Sequence, residues 1–142
     1  MCIRDSNIGK ALLSPTRTYA PVIRRVLDEL PGQVNALVNN TGGAFTKVLH
    51  YIEGLRIVKD DLLPVAPIFK LIQSESKTDW KEMYKVLNCG TRLEVYLDES
   101  NAAAVIDIAR SFGVDAQIIG YVESSLSNEV EVDSEHGKFL YQ

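Results

Sequence analysis

A layered α/β (α+β) sandwich with a mixed sheet is the fold class this sequence predicts, and three patterns predict it. Apolar residues recur at helical spacing between Tyr19 and Leu30, and again between Ala102 and Phe112. Alternation of apolar and polar residues marks Arg92 to Leu97 and Glu129 to Asp133 as half-buried strands. Helical and strand segments interleave along the chain, an order that packs helices against a sheet.

Taken in order, Ser14 followed by Pro15 reads as an N-cap and first helical position. Tyr19, Val22, Ile23, Val26, Leu27 and Leu30 continue that helix for about four turns, and Pro31-Gly32 stops it. Val34 to Val38 is an apolar run that reads as a buried strand, and Asn39 to Gly43 is a polar, glycine-containing turn. Ala44 to Tyr51 reads as a short helix and Leu55 to Val58 as a second strand. A helix entered through Pro64 to Pro67 follows, then one capped by Thr78 or Asp79 running from Trp80 to Leu87. In Arg92 to Leu97, the face carrying Leu93, Val95 and Leu97 is expected inside. Asp98 or Ser100 opens a helix with Ala102, Val105, Ile106, Ala109 and Phe112 facing inward, and Gly113 ends it. Ala116 to Val122 is strand-like. Glu129 to Asp133 pairs with Lys138 to Tyr141 as a terminal hairpin, its acidic residues on the solvent face of an edge strand.

The 142 residues suffice for one domain with a sizeable core. A net charge of −4 argues against a nucleic-acid surface, and no apolar run approaches the roughly 20 residues of a membrane span. Cys2 and Cys89 make neither a metal-ligand spacing nor a disulfide framework, which fits a cytoplasmic protein. Met1 to Ser6 lacks the apolar segment of a signal peptide. Read back into codons, it looks like the transposon end used to prepare sequencing libraries. Residues 1–6 are therefore set aside, residues 7–142 are taken as a single domain, and the natural chain is expected to begin upstream.

Three turns combine glycine with small polar residues where binding is plausible. Asn40-Thr41-Gly42-Gly43-Ala44 lies between a strand and a helix, where glycine lets backbone approach a ligand and the following helix start favours an anion. A plain tight turn is the alternative. Arg17, placed by this reading in the first turn of a helix, is disfavoured there by the helix dipole. It therefore wants a ligand phosphate or a carboxylate, or else is a structural or solvated arginine. In Asn88-Cys89-Gly90, Gly90 suits a positive φ, Asn88 can bond backbone across the turn, and Cys89 reads as a small buried thiol, not a nucleophile. His50 and His136 are too few for a histidine-rich metal site, and Asp60-Asp61 reads as a solvated pair. No P-loop and no GxGxxG motif is present, and no complete catalytic set is visible.

These turns carry a resemblance. Leu12 to Tyr19 is similar to a Leu-Leu-x-Pro-Thr-Arg-x-Tyr segment of AIR synthase, and Thr41, Gly42, Gly43 and Phe45 to its Thr-Gly-Gly-Gly-Phe segment, with Ala44 for the third glycine. Pro67, Phe69 and Gln73 match a Pro-Pro-x-Phe-x-x-x-Gln segment; Glu82, Met83, Asn88 and Gly90 match Glu-Met-x-x-x-x-Asn-x-Gly. The chain thus resembles the C-terminal domain of that family, in register from about Leu12 to Val122. It departs at Asn39, where the family has histidine, and at Lys47 to Tyr51, where the family has Glu-Asn-x-Pro-Arg. The resemblance implies an ATP-dependent cyclo-ligase of purine biosynthesis that closes the imidazole ring of formylglycinamidine ribonucleotide, working as a homodimer. ATP and Mg2+ are then held mostly by an N-terminal half absent from this sequence, leaving the fragment inactive alone. It further implies substrate-binding roles for Arg17, Thr41, Gly42, Gly43, Asn88 and Gly90.

Other members of the superfamily share this architecture: formylglycinamidine ribonucleotide synthase, thiamine-phosphate kinase, selenophosphate synthetase and a hydrogenase-maturation relative. The Pro-Thr-Arg segment and the Asn-x-Gly turn favour AIR synthase. A free-standing, non-catalytic α/β binding module is the competing class.

Overall fold

A computed structural model describes Leu13, Pro15 and residues 17–142. Helix α1 spans Ala20–Glu29, strand β1 Val34–Asn39, a 3-10 helix Ala44–Tyr51 and β2 Leu55–Lys59. Helices α2 (Pro67–Ser76) and α3 (Trp80–Val86) follow, then β3 (Leu93–Leu97), a 3-10 turn (Glu99–Asn101) and α4 (Ala102–Ser111). Strands β4 (Gly120–Ser124), β5 (Glu129–Ser134) and β6 (Gly137–Tyr141) complete the chain. β1 and β3 pair antiparallel as a two-stranded ribbon. The second sheet has the order β4-β2-β5-β6, with β2 parallel to β5 and antiparallel to β4. It is the mixed sheet the sequence predicted.

Helix α1 begins later than the Ser14-Pro15 signal implied. Its N-cap is Tyr19 and Pro21 occupies its first turn. A proline there needs no amide partner, whereas a helix running back to Pro15 would drive the Pro21 ring into the carbonyl of Arg17. Ser14 and Thr16 lie outside the described residues. Arg17 is consequently in the irregular segment before the helix, not in its first turn. Val22 and Val26 of α1 pack on Ile108 and Ala109 of α4, with Leu30 and Val105 at the margin of this small core. Phe112, expected inside, lies past the end of α4 and is exposed. Asp79 caps α3 by accepting from the Glu82 amide at 2.9 Å, as its position before Trp80 predicted.

The main core joins Phe45 and Val48 of the 3-10 helix, Ile57 of β2, Tyr84 of α3, and Val130 and Val132 of β5. β1 is less buried than its apolar run suggested, because a two-stranded ribbon leaves one face open; only Val38 of its six residues is buried. In β3 the burial is also the reverse of the alternation reading. Glu94 is buried while Leu93, Val95 and Leu97 are half-buried.

β5 is likewise no edge strand. It runs between β2 and β6, so Glu131 is buried between Arg56 and Lys138, the latter 2.6 Å away. The Lys138 ammonium and then the Arg56 guanidinium hold the Glu131 carboxyl below its ordinary value near 4.5, against the cost of burial. A depressed carboxyl contributes stability above its unfolded pKa and loses it as pH falls through the folded one. The melting temperature is therefore expected to fall on acidification below about 4.5, and Glu131→Gln to be less stable at neutral pH but flatter with pH. Parallel melting-temperature curves for the two proteins would overturn this.

Candidate functional site

The loop after β1 is fixed from beneath. The Asn40 amide donates to the Arg92 carbonyl at 2.8 Å, which carries the β1–β3 pairing one residue further. The Asn40 side-chain Nδ2 donates to the Thr91 carbonyl at 3.1 Å and to Glu94 Oε1 at 2.7 Å. Two acceptors on that side fix which way the amide points, and its Oδ1 is a buried acceptor with no partner among the described residues. The Asn88–Gly90 turn is tied to the same loop: Asn88 Nδ2 donates to the Asn40 carbonyl at 3.0 Å, while the Gly90 amide donates to Asn88 Oδ1 at 3.1 Å.

Gly90 takes the positive φ expected of it, +118°, and in the turn after β1 Gly43 has φ +86°. Ala44, in place of the third glycine of the pattern, also takes a positive φ of +37° with its side chain fully buried. That conformation costs roughly 1 to 2 kcal/mol for a residue with a Cβ. Lys47, one of the departures from the pattern, reaches back over the turn. Its Nζ donates to the Asn39 carbonyl at 3.0 Å and to the Thr41 hydroxyl, so a cation is held against Thr41.

Beneath the loop lies a charged cluster that alternation and composition did not reveal. Lys59, at the end of β2, is 1% exposed and donates to Glu94 Oε1 at 2.7 Å and to the Phe45 carbonyl at 3.0 Å. Its ammonium lies 4.8 Å from the Phe45 ring centre. Burial pushes the Lys59 ammonium down and Glu94 opposes it. The Tyr96 hydroxyl donates to Glu94 Oε2 at 2.5 Å; burial, then the Glu94 charge, raises that phenol. One carboxylate thus binds β2, β3 and the loop after β1 together. The acids next to Lys59 in sequence are Asp60 and Asp61, and nothing local marks its actual partner, Glu94, 35 residues further on.

Above this cluster opens a cleft of about 520 Å³. Arg17, Thr41, Asn88 and Arg92 are in its wall, with Tyr19 and Phe69 adding aromatic surface. Of the residues expected at a binding site, Arg17, Thr41 and Asn88 meet here, while Gly42, Gly43 and Gly90 shape the adjoining turns without lining the cleft. Arg17 donates to the Gly113 carbonyl at 2.7 Å, which bridges the segment before α1 to the end of α4. Cys89 is buried in its turn, and burial pushes its thiol up to about 11, which makes it a poor nucleophile. His136 stacks on Trp80 at 3.5 Å and His50 is exposed on the 3-10 helix, so neither lines the cleft. Among the described residues there is no group of three or more His, Cys, Asp or Glu able to hold a metal ion, and no helix is long and apolar enough to cross a membrane.

A ribbon and a mixed sheet bridged by a buried ion pair, beneath a cleft walled by arginine, threonine and asparagine, define an α/β domain with a polar cleft. The chain belongs to the AIR synthase related protein family, whose C-terminal-domain model matches residues 3–133. It is 34% identical to the phosphoribosylformylglycinamidine cyclo-ligase of Methanocaldococcus jannaschii over 119 residues, 84% of this chain and 34% of that protein. It is 32% identical to the enzyme of the same name from Brevibacillus brevis over 125 residues, 86% of this chain and 36% of the other. The chain therefore spans about a third of the length of these curated relatives. Among solved structures, the hydrogenase maturation protein HypE of E. coli superposes with a TM-score of 0.67 at 24% identity, covering 96% of this chain and 44% of that one. That likeness concerns the fold.

Proposed function

We propose that this chain is the C-terminal part of a phosphoribosylformylglycinamidine cyclo-ligase, the enzyme that closes formylglycinamidine ribonucleotide to aminoimidazole ribonucleotide with ATP. The observation that carries the reading is convergence: Arg17, Thr41 and Asn88, from three separate matched segments, line one cleft. The names of the relatives point to the same reaction.

When bound, ATP supplies the phosphoryl group that activates the formyl oxygen before the ring nitrogen attacks and phosphate leaves. Among the described residues no group of three or more His, Cys, Asp or Glu could hold Mg2+, which in this reading belongs to the N-terminal half. What this chain contributes is positioning and charge neutralisation. Arg17 offers guanidinium N–H groups to the anionic substrate. Thr41 presents its hydroxyl at the cleft wall, and Asn88 keeps the Asn88–Gly90 turn against the loop. Gly43 lets the chain turn sharply enough to set Thr41 there. The parent enzyme is a cytoplasmic homodimer in this reading, and the 142-residue chain alone does not turn over.

In the full-length enzyme, Arg17→Ala is expected to lower kcat/KM by roughly tenfold to a hundredfold, the loss of a charge-assisted contact. Gly43→Val forces a β-branched side chain into φ +86° and is expected to lower activity at least as much. Steady-state kinetics on both variants decides; normal activity in both would sink these assignments.

A further inference from the structure

The described chain contains six arginines, and their pairing is uneven. Arg24, Arg25 and Arg56 are committed to carboxylates: Asp28, Glu29 and Glu131. Arg17, Arg92 and Arg110 form no ion pair among the described residues, and two of these three, Arg17 and Arg92, line the same cleft. Among the described residues no aspartate or glutamate lines that cleft, in a chain whose net charge is −4. We propose that Arg92 is a second oxyanion-binding residue of the cleft, acting with Arg17 on a phosphate monoester.

The backbone at Arg92 is anchored. Its carbonyl accepts from the Asn40 amide at 2.8 Å, and β3 begins at the next residue, so the side chain starts from a fixed point while its guanidinium stays exposed. Arg17 uses one nitrogen on the Gly113 carbonyl, a neutral acceptor that leaves its charge uncompensated. The Lys47 ammonium, held against Thr41 at the cleft wall, adds to the positive potential. Two planar guanidinium groups suit the tetrahedral oxygens of a phosphate, each able to donate two parallel bonds. Carboxylates offer related chemistry with less charge, so the test separates the two.

The inference rests on the cyclo-ligase reading only for the natural ligand; its test does not involve ring closure. Isothermal titration of the 142-residue chain with ribose 5-phosphate is expected to show saturable, salt-sensitive binding that ribose and acetate lack. Arg92→Ala is expected to weaken it roughly tenfold or more, and Arg92→Lys to recover part of the loss. Arg110→Ala, which removes an unpaired arginine away from the cleft wall, is expected to leave it unchanged. Absence of saturable binding, tighter binding of acetate, unchanged affinity in Arg92→Ala, or equal loss in Arg110→Ala would each overturn the proposal. Were the full-length protein unable to close the ring, this binding result would stand. Were Arg92→Ala to bind normally, the cyclo-ligase reading would survive on its own kinetic test.

Discussion

Lys59→Met is expected to lower the stability of the chain by about 3 to 5 kcal/mol, the usual cost of breaking a buried ion pair from one side. In a domain of this size that is on the order of 10 to 15 °C in melting temperature. The cost does not come from lost packing, since methionine nearly fills the lysine volume and suits the contact with Phe45. It comes from Glu94, left 5% exposed with only Asn40 and Tyr96 to satisfy its charge. Removing both charges, in Lys59→Met with Glu94→Leu, is expected to recover part of the loss. Recovery is incomplete because Asn40 Nδ2 and the Tyr96 hydroxyl then each lose an acceptor. Chemical denaturation of the wild type and the two variants measures both differences. A Lys59→Met protein within about 1 kcal/mol of wild type would show that the pair does not hold the ribbon to the sheet.

The cluster around Glu94 also shows where sequence reasoning runs out. Lys59 and Glu94 lie 35 residues apart, and Asn40 and Glu94 lie 54 apart. Nothing local marks them as partners until β3 is paired with β1. Alternation placed Leu93, Val95 and Leu97 inward because an unpaired glutamate does not belong inside. Once three donors surround that glutamate, the rule no longer applies. Local signals fared better. The Asp79 cap, the hairpin of β5 and β6, and the Asn88–Gly90 turn each depend on neighbours within a few residues, and each formed as read. Where local signals compete, Pro21 sets the start of α1 and overrides Ser14-Pro15. The position of β5 inside its sheet depends on a parallel partner 75 residues away, as Arg56 and Glu131 show, and charge pattern alone cannot supply it. The cleft was partly legible: Arg17, Thr41 and Asn88 were singled out by motif. Arg92 was not, because an arginine opening a strand looks like any solvated residue.

Gly120→Ala is expected to be as damaging as any single change in the chain, although it adds one methyl group. The stretch from Ala116 to Val122 reads as a strand straight through this glycine, yet glycine inside a strand often marks a close backbone approach. Here the approach is extreme. A Cβ at Gly120 would lie 1.8 Å from the Val58 carbonyl oxygen and 2.8 Å from the Lys59 Cα. Both are backbone atoms of the neighbouring strand, so no side chain can swing aside. Gly120 pairs directly with Lys59 in the register of β4 on β2, and the accommodation must open that pairing. β4 is the edge of its sheet, so it can peel away without disrupting β5 and β6. The expected loss is about 3 to 5 kcal/mol, in the range reserved for severe steric or core defects. It should appear in hydrogen exchange as lost protection along Arg56 to Lys59 before any change in β6. Because Lys59 ends β2 and carries the ammonium under the cleft, the same substitution is expected to weaken the Lys59–Glu94 bond and any ligand binding above it. A Gly120→Ala protein with wild-type stability and exchange would mean that β4 docks less closely on β2 than these distances require.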